Sequence, residues 1–170
     1  AKLNNLKQAA KTMNFLTEHG ISNYGELESK LTALSTRRDT AHAEIKRIES
    51  RSAELAFVMK HAGTYRQLKP LYDRYRKSND KEKFLRGHES EIILFEAAAR
   101  ELKRLGAVPL PTTESMKTEL ANLSAEKERL LAEYKTARTE AQEYETVKQN
   151  VDALLAVPKE QEQQRRHELE

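Results

Sequence analysis

Apolar residues recur every three or four positions along two long stretches of this chain, and each stretch is predicted to be one long helix. In the first, residues 24–62, steps of four and three alternate without a break over five heptads. A sustained period of 3.5 residues is typical of a coiled-coil seam. We expect Gly63 to end or bend this helix. The predicted seam consists of Leu27, Leu31, Leu34, Arg38, Ala41, Ile45, Ile48, Ser52, Leu55, Met59 and Ala62.

The second stretch, residues 113–156, repeats the pattern. Thr112 or Thr113 is expected to cap its start, and Val157-Pro158 is expected to stop it. The rest, residues 157–170, has no apolar stripe and is predicted to be a frayed, solvated tail. The second seam consists of Met116, Leu120, Leu123, Lys127, Leu130, Tyr134, Ala137, Ala141, Tyr144, Lys148, Val151 and Leu155.

The economical arrangement of the two seams is an antiparallel hairpin within one chain. Residues whose numbers sum to about 178 would then face each other, which places Arg38 beside Glu140 and Ser52 beside Glu126 and Lys127. Polar seam residues cost stability and can fix alignment. We expect a monomer, and pairing of the seams between two chains is the alternative.

Residues 2–19 predict a shorter amphipathic helix that Gly20 stops. It is too short to be stable alone, so we expect its apolar stripe to pack on the open end of the hairpin. Ser22 or Asn23 is available to cap the next helix. The stripe consists of Leu3, Leu6, Ala10, Met13 and Leu16 or Phe15.

The region between the long helices, residues 63–112, is predicted to be a small helical head. Pro70 should begin or kink a helix, and residues 78–80 should form a turn before a short helical piece at 81–86. A further helix, residues 88–105, carries acids at its start and bases at its end. Residues 108–111 read as an extended link. The predicted fold class is therefore all-α, a long antiparallel coiled-coil hairpin with a helical head and a short N-terminal helix at its base.

The composition limits the kinds of chemical site that this chain can form. There is no cysteine, which excludes thiolate metal sites and disulfides. No apolar run approaches the roughly 20 residues of a membrane span, so we expect no membrane partner and a soluble, cytoplasmic protein. The start at Ala1 inside an apparent helix suggests an excised fragment. The five histidines are scattered without ligand spacing, so we expect solvated or capping roles for them and predict no metal, cofactor or catalytic residue.

The strongest chemical feature is the basic stretch 64–88, where eight Lys or Arg residues face three acids, a net of +5 in a chain that is +3 overall. Such cations can neutralise phosphates, and tyrosines among them can stack on unpaired bases. The rings of Tyr65, Tyr72 and Tyr75 share a helical face with Leu68, so packing in the head is favoured over base stacking for them. The candidate nucleic-acid-binding residues are Arg66, Lys69, Arg74, Arg76, Lys77, Lys81, Lys83 and Arg86.

Several ordered segments resemble the C-terminal region of relaxases that mobilise Gram-positive conjugative elements. They are LKQAAKTMNFLTEHGI near the start, YRK at 75–77, the spacing from Phe84 to His88-Glu89, the link LGAVPLPT and the late NVDALL. Relaxases nick one DNA strand at an origin of transfer with a nuclease domain that precedes such a region. Pro70 departs from the family pattern, which puts the continuity of its helix in question.

The resemblance implies a non-catalytic accessory domain that contacts DNA, single-stranded or duplex, or docks onto an accessory or coupling protein of the transfer machinery. The alternative, from another class, is a structural spacer or oligomerisation module that binds only protein. Salt-dependent binding to oligonucleotides distinguishes the two.

Overall fold

The computed structural model describes residues 1–168, apart from the side chains of residues 157–160. This part of the chain forms four helices and no strand: α1 (Lys2–Glu18), α2 (Tyr24–Lys77), α3 (Lys81–Arg104) and α4 (Thr113–His167). The two long helices, α2 and α4, pack against each other and run in opposite directions. The prediction of an all-α fold built on two long antiparallel helices is confirmed.

The helix ends follow the local signals in the sequence. Asn23 caps α2, since its side-chain oxygen accepts a hydrogen bond from the Glu26 amide at 2.9 Å. Asp80 caps α3 and Thr112 caps α4 in the same way. Gly20, with φ of 64°, lies just beyond α1, and the amide of Ile21 donates to the Leu16 carbonyl. This is a Schellman arrangement, which requires a left-handed residue at that position.

One predicted helix end is wrong, because α4 continues through Pro158 to His167. α2 continues through Gly63 and Pro70 to Lys77, so neither residue ends or begins a helix, and a bend or kink at these residues stays a prediction. A glycine costs about 1 kcal/mol and a proline about 3 kcal/mol inside a helix. Burial of Ala62 and Leu71 on either side of Gly63 and Pro70 offsets that cost in α2.

The predicted tail also needs correction. Its backbone is helical as far as His167, and helix-favouring Glu, Gln and Arg residues follow Pro158. Residues 161–168 are exposed, as predicted, whereas residues 169–170 lie outside the described residues.

The chain falls into two compact units, Ile45–Glu128 and Ala1–Glu44 with Arg129–Glu170. These limits cut across α2 and α4 and so differ from the predicted boundaries at residues 62–63 and 112–113. Each unit has its own apolar interior.

In the unit Ile45–Glu128, the seam of α2 packs with α3 and the start of α4. The backbone of α3 is interrupted at His88, with φ of −138° and ψ of 26°, so a short piece precedes the main helix as predicted. The predicted face of that main helix is buried. The apolar core comprises Ile45, Ile48, Leu55, Val58, Ala62, Leu71, Ile92, Phe95, Ala98, Leu102, Met116 and Leu123.

In the other unit, α1 packs on α4 through Thr12 and Phe15, and of the predicted stripe only Phe15 and Leu16 face the interior. Thr12 is 3% exposed, and its hydroxyl accepts a hydrogen bond from Asn150, whose amide oxygen accepts one from Gln8 at 2.9 Å. The ring of Phe15 meets Tyr144 edge to face. These contacts turn Leu3, Leu6 and Met13 outward, where they are 59–71% exposed.

A polar contact also joins α2 to α4 in this unit. The Tyr24 hydroxyl donates to Asp152 at 2.6 Å, and Lys148 lies 3.4 Å from the same carboxylate. The hydrogen bond from Tyr24 holds the pKa of Asp152 below its ordinary value and raises the pKa of the tyrosine.

Arg38 forms an ion pair with its neighbour Asp39 at 2.9 Å, and its predicted place beside Glu140 stays a prediction. Other residues form the ion pairs that join α2 to α4 in the unit Ile45–Glu128. Arg51 donates two hydrogen bonds of 2.7 and 3.2 Å to Glu119, and Lys127 pairs with Glu49. A two-point contact between planar groups fixes position more sharply than a single charge does.

Candidate nucleic-acid interface

The eight candidate cations separate into two groups according to their contacts. Three have a partner. Arg66 donates to the Thr113 hydroxyl and the Pro111 carbonyl, Lys69 pairs with Asp73 at 3.1 Å, and Arg86 lies 3.8 Å from Glu82.

Arg66 therefore has a structural task. Its guanidinium holds the link between α3 and α4 against α2, since both of its acceptors lie at the end of that link. Nothing in the local sequence around Arg66 distinguishes it from the other cations. Only the structure shows that the Arg66 guanidinium already has hydrogen-bond partners within the protein.

The side chains of the other five cations are exposed and have no ion-pair or hydrogen-bond partner in the part of the chain that the structure describes. They surround the turn Ser78–Asp80, which joins α2 to α3. Lys77 and Lys81 are four residues apart, so their Cα atoms lie within about 14 Å of each other. We refer to this set as the basic cluster: Arg74, Arg76, Lys77, Lys81 and Lys83.

Helix electrostatics explains only part of the basic cluster. Cations in the last turn of α2 complement the negative end of its dipole, which is a sufficient structural reason for Arg74, Arg76 and Lys77. Lys81 and Lys83 lie in the first turn of α3, where the dipole disfavours positive charge. Helix stability therefore does not account for those two residues.

The tyrosines of the basic stretch are half-buried and pack against other rings of the head, as predicted. Phe95 lies between two of them, with ring centroids 4.8 Å from Tyr65 and 4.2 Å from Tyr72, both nearly parallel. Tyr75 continues the row towards Phe84 at 6.0 Å. Rings stacked within the protein have a face already covered, so they are poorly placed to stack on bases.

His19, His42 and His167 are exposed, and His19 caps the end of α1 with its Nδ1 2.8 Å from the Phe15 carbonyl. His61 and His88, in contrast, are half-buried and differ from the prediction of solvated or capping roles. Four of the five histidines lie against aromatic rings: His19 on Phe15, His42 on Tyr134, His61 on Phe57 and His88 on Phe84. One ring nitrogen each of His61 and His88 is buried without a hydrogen bond. Packing against a ring requires no spacing in sequence, so inspection of the sequence could not have found these contacts.

Among the described residues, no group of three or more His, Asp or Glu side chains is arranged to bind a metal ion. Within the same residues, no helix combines the length and apolar character needed to cross a membrane.

Comparisons of the chain with protein families, with curated proteins and with solved structures found no match.

Proposed function

We propose that this chain is a non-catalytic accessory domain that binds the phosphate backbone of nucleic acid through the basic cluster. The observation that carries the proposal is the group of five exposed cations around residues 78–80 without acidic partners. Cations that form no pair within the protein remain available to replace the counterions of a phosphate backbone.

The chemistry of the cluster favours backbone contact over base recognition. Lys and Arg on an exposed turn can reach phosphates of any sequence, while the stacked rings of Tyr65 and Tyr72 leave few groups for reading bases. The proposed binding is therefore independent of sequence and strongly dependent on salt. Both single-stranded and duplex DNA are suitable ligands.

The family context extends the proposal. The segments that resemble relaxases support a role in mobilising a conjugative element, in the bacterial cytoplasm, beside a nuclease that cuts the transferred strand. In that setting the chain would hold DNA near the nuclease rather than cut it.

The test is fluorescence anisotropy with a labelled oligonucleotide at low salt. The variant Arg74→Ala/Arg76→Ala/Lys77→Ala is expected to lose most of the affinity. A matched control removes the same charge from exposed positions elsewhere, Lys117→Ala/Lys135→Ala/Arg138→Ala, and is expected to bind like the wild type.

The opposite result would favour the rival function. If the wild type fails to bind at low salt, the proposal is wrong and a spacer or oligomerisation module that meets only protein becomes the better account. Equal losses in the two variants would show that net charge, not the basic cluster, governs binding.

A further inference from the structure

The short helix α1 uses only part of its apolar surface for packing. It buries Thr12, whose hydroxyl accepts a hydrogen bond from Asn150, and packs Phe15 and Leu16 against the interior, but it leaves its other apolar face exposed to solvent. On that face Leu3 is 68% exposed, Leu6 71% and Met13 59%. We call this set, which Ala10 completes, the α1 stripe: Leu3, Leu6, Ala10 and Met13.

The α1 stripe continues onto α4. Met13 and Leu155 line one cleft of about 300 Å³ together with Leu16 and Val151, and Leu154 and Leu155 are themselves 44% and 57% exposed. The exposed parts of Leu3, Leu6 and Met13, with Leu155 beside Met13, amount to roughly 500 Å², within the range of the largest apolar patch on a typical monomer, which is often functional. A partner helix that covers this surface would remove it from water.

The spacing of the stripe indicates the shape of the partner. Steps of three, four and three residues place its members at successive core positions of a heptad repeat. Such a seam fits a second amphipathic helix laid alongside it. Because the contacts of Phe15 and Asn150 hold α1 from its opposite side, the stripe is presented on a fixed helix.

The charges on α1 indicate the chemistry of the partner. Lys2 and Lys7 flank the stripe on either side, and α1 has a single acid, Glu18, at its end. Lys7 and Lys11 also line a groove of about 860 Å³ on the far side of the helix. Among the described residues, none of the three lysines has an ion-pair partner.

A second copy of the chain fits this surface poorly. In a parallel pair, Lys2 of one helix would face Lys7 of the other, and in an antiparallel pair the two Lys7 side chains would meet near the symmetry axis. Like charges at these flanking positions oppose association. A helix with acidic flanks would instead form ion pairs at the same positions.

We propose that the α1 stripe is a docking surface for an amphipathic helix of a partner protein. That helix would have an apolar heptad stripe flanked by Asp or Glu. This site is separate from the basic cluster and does not depend on the function proposed for it.

The experiment uses two labelled synthetic peptides of about four heptads with Leu at the core positions. One has Glu at the flanking positions and the other Lys. The Glu peptide is expected to bind the chain, and the Lys peptide at least about tenfold more weakly. Leu6→Gln and Met13→Gln should each weaken the Glu peptide by about tenfold or more, as expected when one buried apolar side chain is lost.

Two matched variants locate the site. Ile93→Gln changes an equally exposed apolar residue on α3 and should leave the affinity unchanged. The variant Arg74→Ala/Arg76→Ala/Lys77→Ala should also keep it, which separates this surface from DNA binding.

Three results would overturn the proposal. The first is equal binding of the two peptides or no binding at all. The second is an unchanged affinity of Leu6→Gln, with circular dichroism confirming that the variant is folded. The third is a wild-type dimer in sedimentation velocity that Leu6→Gln converts to a monomer, since a second copy would then be the occupant.

Discussion

Replacement of Phe95 by Leu tests whether the aromatic row of the head is structural. Phe95 is 5% exposed and lies 4.8 and 4.2 Å from the rings of Tyr65 and Tyr72. Each aromatic pair contributes about 0.5–1.5 kcal/mol beyond burial, so losing both should lower the free energy of unfolding by about 1–3 kcal/mol. Urea denaturation followed by circular dichroism measures this change.

The matched control is Phe57→Leu, because Phe57 is 40% exposed and packs only edge to face on His61 among the rings described. Its cost should stay below about 1 kcal/mol. A double-mutant cycle of Phe95→Leu with Tyr72→Leu should yield a coupling energy of about 0.5–1.5 kcal/mol. No coupling, together with equal costs for the two phenylalanines, would refute the packing and return the tyrosines to the list of candidate base-stacking residues.

Two further predictions concern the unit that contains α1. Asn150→Ala removes the hydrogen bond that the Thr12 hydroxyl accepts and the one that Gln8 donates, while Thr12 keeps its bond to the Gln8 carbonyl. Thermal and urea unfolding should therefore show a loss of about 0.5–1.5 kcal/mol, and a loss near zero would contradict the polar docking of α1. The pKa of Asp152 is depressed in the folded state, so its contribution to stability is present above its unfolded pKa of about 3.9 and is lost as the pH falls through the folded pKa. Tyr24→Phe removes the main cause of that shift; the stability difference between wild type and variant should therefore shrink from pH 6 to pH 3, and a difference independent of pH would contradict the coupling.

The helical fold was predictable from the sequence because the buried positions of a long helix recur every three or four residues and are occupied by apolar side chains. Residues such as Ile48, Leu55 and Ala137 lie at the predicted seam positions and are at most 3% exposed. The N-caps Asn23, Asp80 and Thr112 could also be predicted from the sequence. Each requires only a polar side chain directly before the start of a helix.

Helix breaks and the face of α1 were not predictable by the same reasoning. Gly63 and Pro70 carry local penalties that burial of their neighbours outweighs, and that burial depends on packing between helices, which the local sequence does not reveal. The apolar stripe of α1 implied an inward face, but α1 packs through Thr12, which Asn150 bonds, and through Phe15 and Leu16 at its end. Exceptions to amphipathic patterning of this kind mark candidate interaction surfaces.

The candidate site was predicted in part. The sequence located the basic stretch and assigned its tyrosines to the interior, but it could not separate Arg66, which holds the link at Pro111, from Arg76 or Lys77, which have no partner in the described chain. Which cations are already paired depends on contacts between distant segments, and a charge count does not contain that information.

The salt dependence of DNA affinity tests the central claim most directly. If the five residues of the basic cluster each neutralise one phosphate, the plot of log K against log salt should have a slope of about −4.5 on duplex DNA. Between about 50 and about 200 mM salt the affinity should then fall about 500-fold. Removing Arg74, Arg76 and Lys77 should reduce the slope to about −1.8, while the Lys117/Lys135/Arg138 control keeps the wild-type slope. A wild-type slope near zero, or a slope that the cluster variant leaves unchanged, would contradict the account.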